Sequence, residues 1–357
     1  MKIVTIIGAR PQFIKAAVVS RLIVASTDIK EIIIHTGQHF DANMSEVFFE
    51  EMSIPKPHYN LNINGLGHGA MTGQMLERIE EVLLKEQPDW VLVYGDTNST
   101  LAAALAAKKL HVKLAHVEAG LRSFDLSIPE EMNRILTDRI SDLLFCPTEQ
   151  SVRNLEKEEF GNFPCKVIMN GDIMKDAALF YKEKAVKPKV SLPDRFVLAT
   201  IHRAENTDSL ENLKNIFEGL ETISLECPVV IPLHPRTKKK LMEMNYDFAN
   251  TPIRIIDPVG YLEMVYLLQR CEMVVCDSGG LQKEAYFFKK YSLFVFTSDS
   301  PWVELAEHGF QQKVLPRKQE ILEGFERFFG KDKTGFEIQL YGDGHAGEQI
   351  LDEIRKN

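Results

Sequence analysis

Along this chain, short polar motifs stand directly behind runs of β-branched and apolar residues. Ile3-Val4-Thr5-Ile6-Ile7 runs into Gly8-Ala9-Arg10-Pro11-Gln12, and Glu31-Ile32-Ile33-Ile34-His35 runs into Thr36-Gly37-Gln38-His39. Trp90-Val91-Leu92-Val93-Tyr94 leads to Gly95-Asp96-Thr97-Asn98, and Leu114-Ala115-His116-Val117 leads to Glu118-Ala119-Gly120-Leu121-Arg122. The second half repeats the arrangement. Phe196-Val197-Leu198-Ala199-Thr200 precedes Ile201-His202-Arg203-Ala204-Glu205-Asn206. Val229-Val230-Ile231-Pro232-Leu233 precedes His234-Pro235-Arg236, and Met273-Val274-Val275-Cys276 precedes Asp277-Ser278-Gly279-Gly280. Near-continuous apolar runs of this length read as parallel strands covered on both faces. In open parallel α/β sheets, ligands bind outside the carboxyl ends of the strands. The polar chemistry of this chain is therefore concentrated where such a site belongs, in one set per half.

Strands are expected at 2–7, 31–36, 90–95, 113–118, 142–147 and 165–169, and again at 196–201, 228–233, 252–256, 272–276 and 291–296. Helical patterns such as residues 14–23, 73–85 and 101–110 lie between them. This alternation predicts an α/β fold of two Rossmann-like doubly wound domains, with a ligand cleft between them. The length of 357 residues fits two domains better than one. The polar, lysine-rich and proline-punctuated stretch 181–193 is the best junction. The expected domains are 1–172, joined by a C-terminal helix within 340–357, and 173–339.

A net charge of −9 argues against nucleic acid as a main partner. No apolar stretch has the length needed to span a membrane. The opening strand breaks at Gly8, too early for a secretory signal. The five cysteines are odd in number and form no CxxC pair, which points to reduced thiols in a cytoplasmic protein.

Anion-holding groups come first. Gly8-Ala9-Arg10-Pro11 opens a helix containing Lys15, and helix-start N–H groups attract phosphate while arginine binds it bidentately. The alternative is an ordinary turn with two surface cations. Ser278, Gly279 and Gly280 allow close approach of a ligand to backbone, and Glu284 lies one to two turns further on, where a carboxylate could hold two ribose hydroxyls. His234 and Arg236 add polar groups at the same sheet edge.

Asp96 and Glu118 each end an apolar strand, where an acid is costly unless paired or functional. Glu130 and Glu131 follow Pro129 in a first helical turn, where acids also simply complement the helix dipole. Together these carboxylates make an acid–base site conceivable. His202 could touch phosphate or transfer a proton, and a hydrogen-bonded structural histidine fits its position equally. His35 and His39 lie on a strand and its loop, and no HExxH or Cys/His spacing occurs, so no metal is expected.

In this order, GARPQFIK, TGQH, VYGDTNST, HVEAGLRS, PEEMNR, HRAEN, LHPRT and DSGGLQKEA resemble the non-hydrolysing UDP-N-acetylglucosamine 2-epimerases, from residue 1 to about residue 310. The resemblance implies a glycosyltransferase-like pair of Rossmann domains (the GT-B type), a UDP-sugar substrate, a homodimer, and no metal or nicotinamide cofactor. It implies elimination of UDP to a 2-acetamidoglucal, reprotonation on the opposite face of C2, and re-addition of UDP. By resemblance Asp96, Glu118, Glu130 and His202 are catalytic, and Arg10, His234, Ser278, Gly279, Gly280 and Glu284 hold UDP, with Lys15 and Arg236 nearby.

Two departures refine the resemblance. Ser298-Asp299-Ser300-Pro301-Trp302-Val303-Glu304-Leu305 replaces the usual acid-arginine-proline-glutamate stretch. The Trp-Val-Glu-Leu segment, with HTGQHFDANMSE and IDPVGYLEM, looks more like the sub-branch acting on UDP-2,3-diacetamido-2,3-dideoxy-glucuronate. That sub-branch usually has arginine-aspartate before this segment, where Ser298-Asp299 follows Thr297 here. Bacterial relatives activated by their own substrate carry an arginine in the stretch matching residues 65–74, and none is present here, so the resemblance implies no such activation. The rival readings are a glycosyltransferase with an acceptor site, a hydrolysing epimerase, and a catalytically inactive UDP-sugar-binding protein.

Overall fold

The computed structural model describes residues 1–38, 49, 55–297 and 302–357. His39, most of the stretch that follows it, and Ser298–Pro301 lie outside these, so the motif readings that fall there are not described. Contacts divide the chain into two units, Met1–Ala177 with Leu340–Asn357, and Ala178–Gln339.

The first unit is built on a parallel sheet of β1 (Lys2–Ile7), β2 (Lys30–His35), β3 (Tyr59–Asn60), β4 (Trp90–Tyr94), β5 (Lys113–Val117), β6 (Leu143–Cys146) and β7 (Lys166–Met169). Its order is β3-β2-β1-β4-β5-β6-β7. Helices connect the strands: α1 (Arg10–Val24), α2 (His68–Glu86), α3 (Asn98–Lys109), α4 (Pro129–Ile140) and α5 (Glu149–Lys157); α6 (Ile173–Lys182) follows β7 and runs through the unit boundary at Ala177. The β-branched strands are buried almost completely, from Ile3 and Val4 to Val91 and Val93. The alanines of α3 (Ala102, Ala103, Ala104, Ala106 and Ala107) are fully buried, and these small side chains let the helix lie close to its neighbours. α14 (Ala346–Lys356) returns to this unit: Gly347 donates its N–H to Asp176 at 2.8 Å, and a β-carbon there would meet Val18 and Leu22 of α1 at 2.7 and 3.0 Å.

The second unit repeats the plan with β8 (Val197–Thr200), β9 (Val229–Pro232), β10 (Arg254–Ile256), β11 (Met273–Cys276), β12 (Ser292–Val295) and β13 (Gln311–Val314). Its order is β10-β9-β8-β11-β12-β13, all parallel. Its helices are α7 (Ala204–Thr207), α8 (Leu210–Glu226), α9 (Pro235–Glu243), α10 (Tyr261–Arg270), α11 (Gly279–Phe287), α12 (Val303–Glu307) and α13 (Lys318–Phe328). Both sheets are doubly wound Rossmann-like sheets. In each, strand order reverses beside the first strand of the unit, between β1 and β4 and between β8 and β11. Among the described residues no helix is long and apolar enough to cross a membrane.

The sequence reading lacks β3 and β13. Each forms one edge of its sheet, and their residues Tyr59-Asn60 and Gln311-Gln312-Lys313-Val314 carry no continuous apolar run.

His35 ends β2 between the rings of Phe13 and Phe49, at 5.3 and 6.3 Å, and its Nε2 has no hydrogen-bond partner among the described residues. Burial pushes its imidazole down to about 4. A base that stays neutral in the fold and charges freely when unfolded favours the folded state above the unfolded value. This contribution is complete above about 6.5 and is lost as pH falls through 4, and its full size is roughly 3 kcal/mol. His35→Leu should therefore gain stability relative to wild type as pH falls from 7 to 4. Urea midpoints at several pH values check this, and a difference that does not change with pH would contradict it.

Candidate active site

In the first unit the reversal of strand order brings together the loop behind β1 and the loop behind β4. Gln12 joins them. Its Oε1 accepts the N–H groups of Gly8 and Ala9 at 2.8 and 3.0 Å. Its Nε2 donates to the Tyr94 carbonyl at 2.8 Å and to the hydroxyls of Thr97 and Thr100 at 3.0 Å each. The glycine at position 8 has no substitute: a β-carbon there would stand 2.1 Å from Thr36 Oγ1 and 2.3 Å from Ser99 Oγ. Those hydroxyls bond each other at 2.8 Å, and Gln38 accepts from Ser99.

A pocket of about 190 Å3 opens between these loops, lined among others by Lys15, His68, Asp96, Asn98, Glu130 and Asn133. Asp96 accepts two hydrogen bonds from Arg134, at 2.7 and 3.2 Å, and Asn133 donates to its backbone carbonyl at 2.9 Å. Lys15, itself largely buried, makes an ion pair with Glu118. Glu118 sits in the left-handed region at φ 74, which turns the chain immediately after β5.

The two adjacent glutamates of α4 have different tasks. Glu130 is exposed and lines the pocket. Glu131 is fully buried and accepts the N–H groups of Ser123 and Phe124, at 3.0 and 2.9 Å, together with Arg134. Burial raises the pKa of Glu131, but these donors outweigh it and leave the carboxyl below its ordinary value. Glu131 thus fixes the loop ahead of α4, and Arg134 spans from it to Asp96.

Behind the pocket, Asp138 is completely buried. It bonds His116 at 2.7 Å, and accepts from Arg122 at 2.7 Å and from the Gly120 N–H at 3.1 Å. Burial pushes its carboxyl up, and the His116 and Arg122 partners more than reverse this, holding it below the usual range.

In the second unit the corresponding reversal lies between β8 and β11. Asp277 is buried and accepts the N–H groups of His202 and Arg203, at 3.0 and 2.9 Å, and the amide of Asn206 at 3.1 Å. The motif's aspartate is therefore the clamp that shapes the His202 loop. The His202 ring stands 5.6 Å from the His234 ring. His234 caps α9 by accepting from the Arg236 N–H at 3.2 Å. Ser278 caps α11 through the N–H of Leu281 at 3.4 Å. The start of α11 is open: Gly280 is exposed, nothing stands near its added β-carbon, and the Arg203 guanidinium approaches that of Gly279 to 3.6 Å. Glu284 is buried further along the same helix. Arg236 does not point freely into this region, because Thr207 and Asp208 take its donors at 2.9 and 2.5 Å. Arg10 is the first residue of α1. Lys283 is almost fully buried, with its ammonium 3.7 Å from the centre of the Trp302 ring.

Sequence reasoning singled out neither Gln12, Asn133 nor Arg134 as a site residue. A usable signal existed for the last two: Glu130, Asn133 and Arg134 stand three and four apart, on one face of a helix.

The family model described as UDP-N-acetylglucosamine 2-epimerase matches residues 22–355. The chain is 52% identical to the UDP-2,3-diacetamido-2,3-dideoxy-D-glucuronate 2-epimerase of Pseudomonas aeruginosa, over the full length of both. The solved UDP-GlcNAc 2-epimerase of Methanocaldococcus jannaschii, in complex with UDP-GlcNAc and UDP, is 41% identical with a TM-score of 0.89, covering 100% of both chains. The UDP-GlcNAc 2-epimerase of Neisseria meningitidis bound to UDP-GlcNAc gives the same TM-score at 30% identity, also covering 100% of both.

Proposed function

Because the chain belongs to the UDP-N-acetylglucosamine 2-epimerase family, we propose that it interconverts UDP-N-acetylglucosamine and UDP-N-acetylmannosamine without releasing UDP. It is an isomerase acting on a UDP-activated 2-acetamido sugar. The observation that carries the reading is the pocket at the first strand-order reversal, where Asp96 and Glu130 meet Lys15, the partner of Glu118.

No carbonyl adjoins C2 of such a sugar, so its hydrogen is not acidic enough for direct removal. Departure of UDP from C1 solves this. As the C1–O bond breaks, a base takes the hydrogen from C2, the C–H electrons form the C1=C2 double bond, and a 2-acetamidoglucal remains beside UDP. A proton delivered to the other face of C2 and return of a UDP oxygen to C1 complete the inversion. Atoms balance with no added redox or metal chemistry. The reaction needs proton-transfer groups for both faces and cations or N–H donors for the departing diphosphate. In our reading Asp96, Glu118 and Glu130 supply the first, with Arg134 holding Asp96 and Lys15 holding Glu118. Arg10, His234 and the open α11 start at Ser278, Gly279 and Gly280 serve the diphosphate, His202 is the catalytic histidine close to it, and Glu284 holds the ribose. Arg236 keeps α7 in place through Asp208.

A second reading is the same chemistry on UDP-2,3-diacetamido-2,3-dideoxy-glucuronate. The 52% identity to the Pseudomonas aeruginosa enzyme and the Trp302-Val303-Glu304 segment favour it. We further expect a homodimer. The exposed Phe124, Leu126, Met132 and Leu136, the last two one turn apart on α4, offer apolar surface for a second copy. The free cysteines, four of the five buried, suit the reducing cytoplasm.

Each nucleotide sugar is incubated with the enzyme and no acceptor, and the C2 configuration is read by proton NMR. Conversion of UDP-N-acetylglucosamine supports the first reading, conversion of the diacetamido-glucuronate nucleotide alone the second, and turnover of neither overturns both. Ser278→Ala and Glu284→Gln should weaken UDP binding by roughly 10-fold or more, with kcat little changed. Unaltered affinity with a collapsed rate, measured by calorimetry and initial rates, would reverse this division of labour.

A further inference from the structure

We propose that His116 is a positioning residue that sets Asp96 through the backbone of the preceding glycine. The proposal rests on the catalytic reading of Asp96. His116 lies on β5, fully buried, two residues before Glu118. Its Nε2 lies 2.7 Å from the Gly95 carbonyl and its Nδ1 2.7 Å from Asp138 Oδ1. The ring thereby bridges the Gly95 backbone carbonyl and the Asp138 carboxylate, one through each nitrogen. The bond to Gly95 lands on the peptide group that leads into Asp96. Gly95 is in the left-handed region at φ 62, a turn set by this carbonyl and by the Gly95 N–H, which donates to Val117 at 3.0 Å.

The other end of the chain of contacts is bonded on several sides. Asp138 is held by Arg122, and Arg122 grips Glu158 with two parallel bonds at 2.6 and 2.9 Å. The same Asp138 carboxylate accepts the N–H of Gly120, two residues beyond Glu118. One buried ion network on α4 thus ties the turn before Asp96 and the turn after Glu118 to a common anchor. The strands alone leave these turns to their own conformational preferences. Paired acid–base groups working on one carbon need their separation fixed to a fraction of an ångström, and a 1 Å misplacement costs on the order of 100-fold in rate.

A matched pair of variants tests this. The amide of glutamine reaches the place of the ring's Nε2, and that of asparagine the place of Nδ1. His116→Gln keeps the bond to Gly95 and loses Asp138, whereas His116→Asn does the reverse. Asparagine should lower kcat about 100-fold and leave KM and UDP affinity within about threefold, while glutamine keeps kcat within about fivefold. Equal losses in both variants, following their thermal stability, would make His116 merely a packing residue. Undiminished kcat in His116→Asn would also overturn the proposal. Should neither amide variant fold, Asp138→Asn carries the test, because a neutral ring can keep Nε2–H on Gly95 while Nδ1 accepts from the new amide. Folded Asp138→Asn must then retain kcat within about tenfold, and a larger loss contradicts the proposal. Absence of turnover in the wild-type protein with either nucleotide sugar would strike at the epimerase reading instead, so the two failures are distinct.

Discussion

Asp96→Asn should lower epimerase turnover roughly 1000-fold while UDP affinity stays near that of the wild type, the size expected when one acid–base group is removed. The substitution keeps the shape of the side chain. The Asn133 bond to the backbone carbonyl of residue 96 does not depend on the carboxylate. Arg134 loses one partner and keeps the buried Glu131, so the helix it belongs to is not left with an isolated charge. What is removed is the capacity to accept and return a proton at C2. Initial rates together with calorimetric UDP titration check it. A fall in UDP affinity that matches the fall in rate would make Asp96 a structural or nucleotide-binding residue.

Gly120→Ala should destabilise the first unit by about 3–5 kcal/mol, at the severe end for a single substitution. Gly120 lies at φ 78, where an L side chain is strained, and its added β-carbon would stand 2.5 Å from the carbonyl oxygen of Ser151. That oxygen belongs to the backbone of α5 and cannot rotate away. The same glycine gives its N–H to Asp138 and its carbonyl to Asn154, at 3.1 and 3.0 Å, so neither side can shift without losing a buried bond. Gly73→Ala in α2 is the control: nothing stands within 4 Å of its added β-carbon, and a small stabilisation is expected there. Urea unfolding of both variants followed by circular dichroism reads the difference. Equal midpoints would show that the α5 backbone yields easily.

The long strands were legible because a strand buried on both faces must be apolar at consecutive positions, as Trp90–Tyr94 is. The edge strand Gln311–Val314 was not, since polar Gln311 opens it and its middle positions Gln312 and Lys313 are not buried. Strand ends likewise announced Asp96, Glu118 and His202, because polar residues interrupt an apolar run there. What each neighbour does was less readable. Glu130 and Glu131 are identical in type and adjacent, and only the fold turns one to the pocket and the other to the Ser123 and Phe124 amides. Gln12 and His116 act through partners 82 and 21 residues away, respectively. No local pattern encodes such partners, since the topology of the sheet brings them together. Asp277 shows the same limit in reverse: its motif suggests a ligand, yet its oxygens hold the backbone of His202 and Arg203.

Proton NMR of the enzyme with UDP-N-acetylglucosamine, and separately with the diacetamido-glucuronate nucleotide, in deuterated water tests the elimination account most directly. Removal and return of the C2 proton predict deuterium at C2 in both epimers, with no free UDP accumulating. Epimerisation with the original hydrogen retained at C2 would contradict the account.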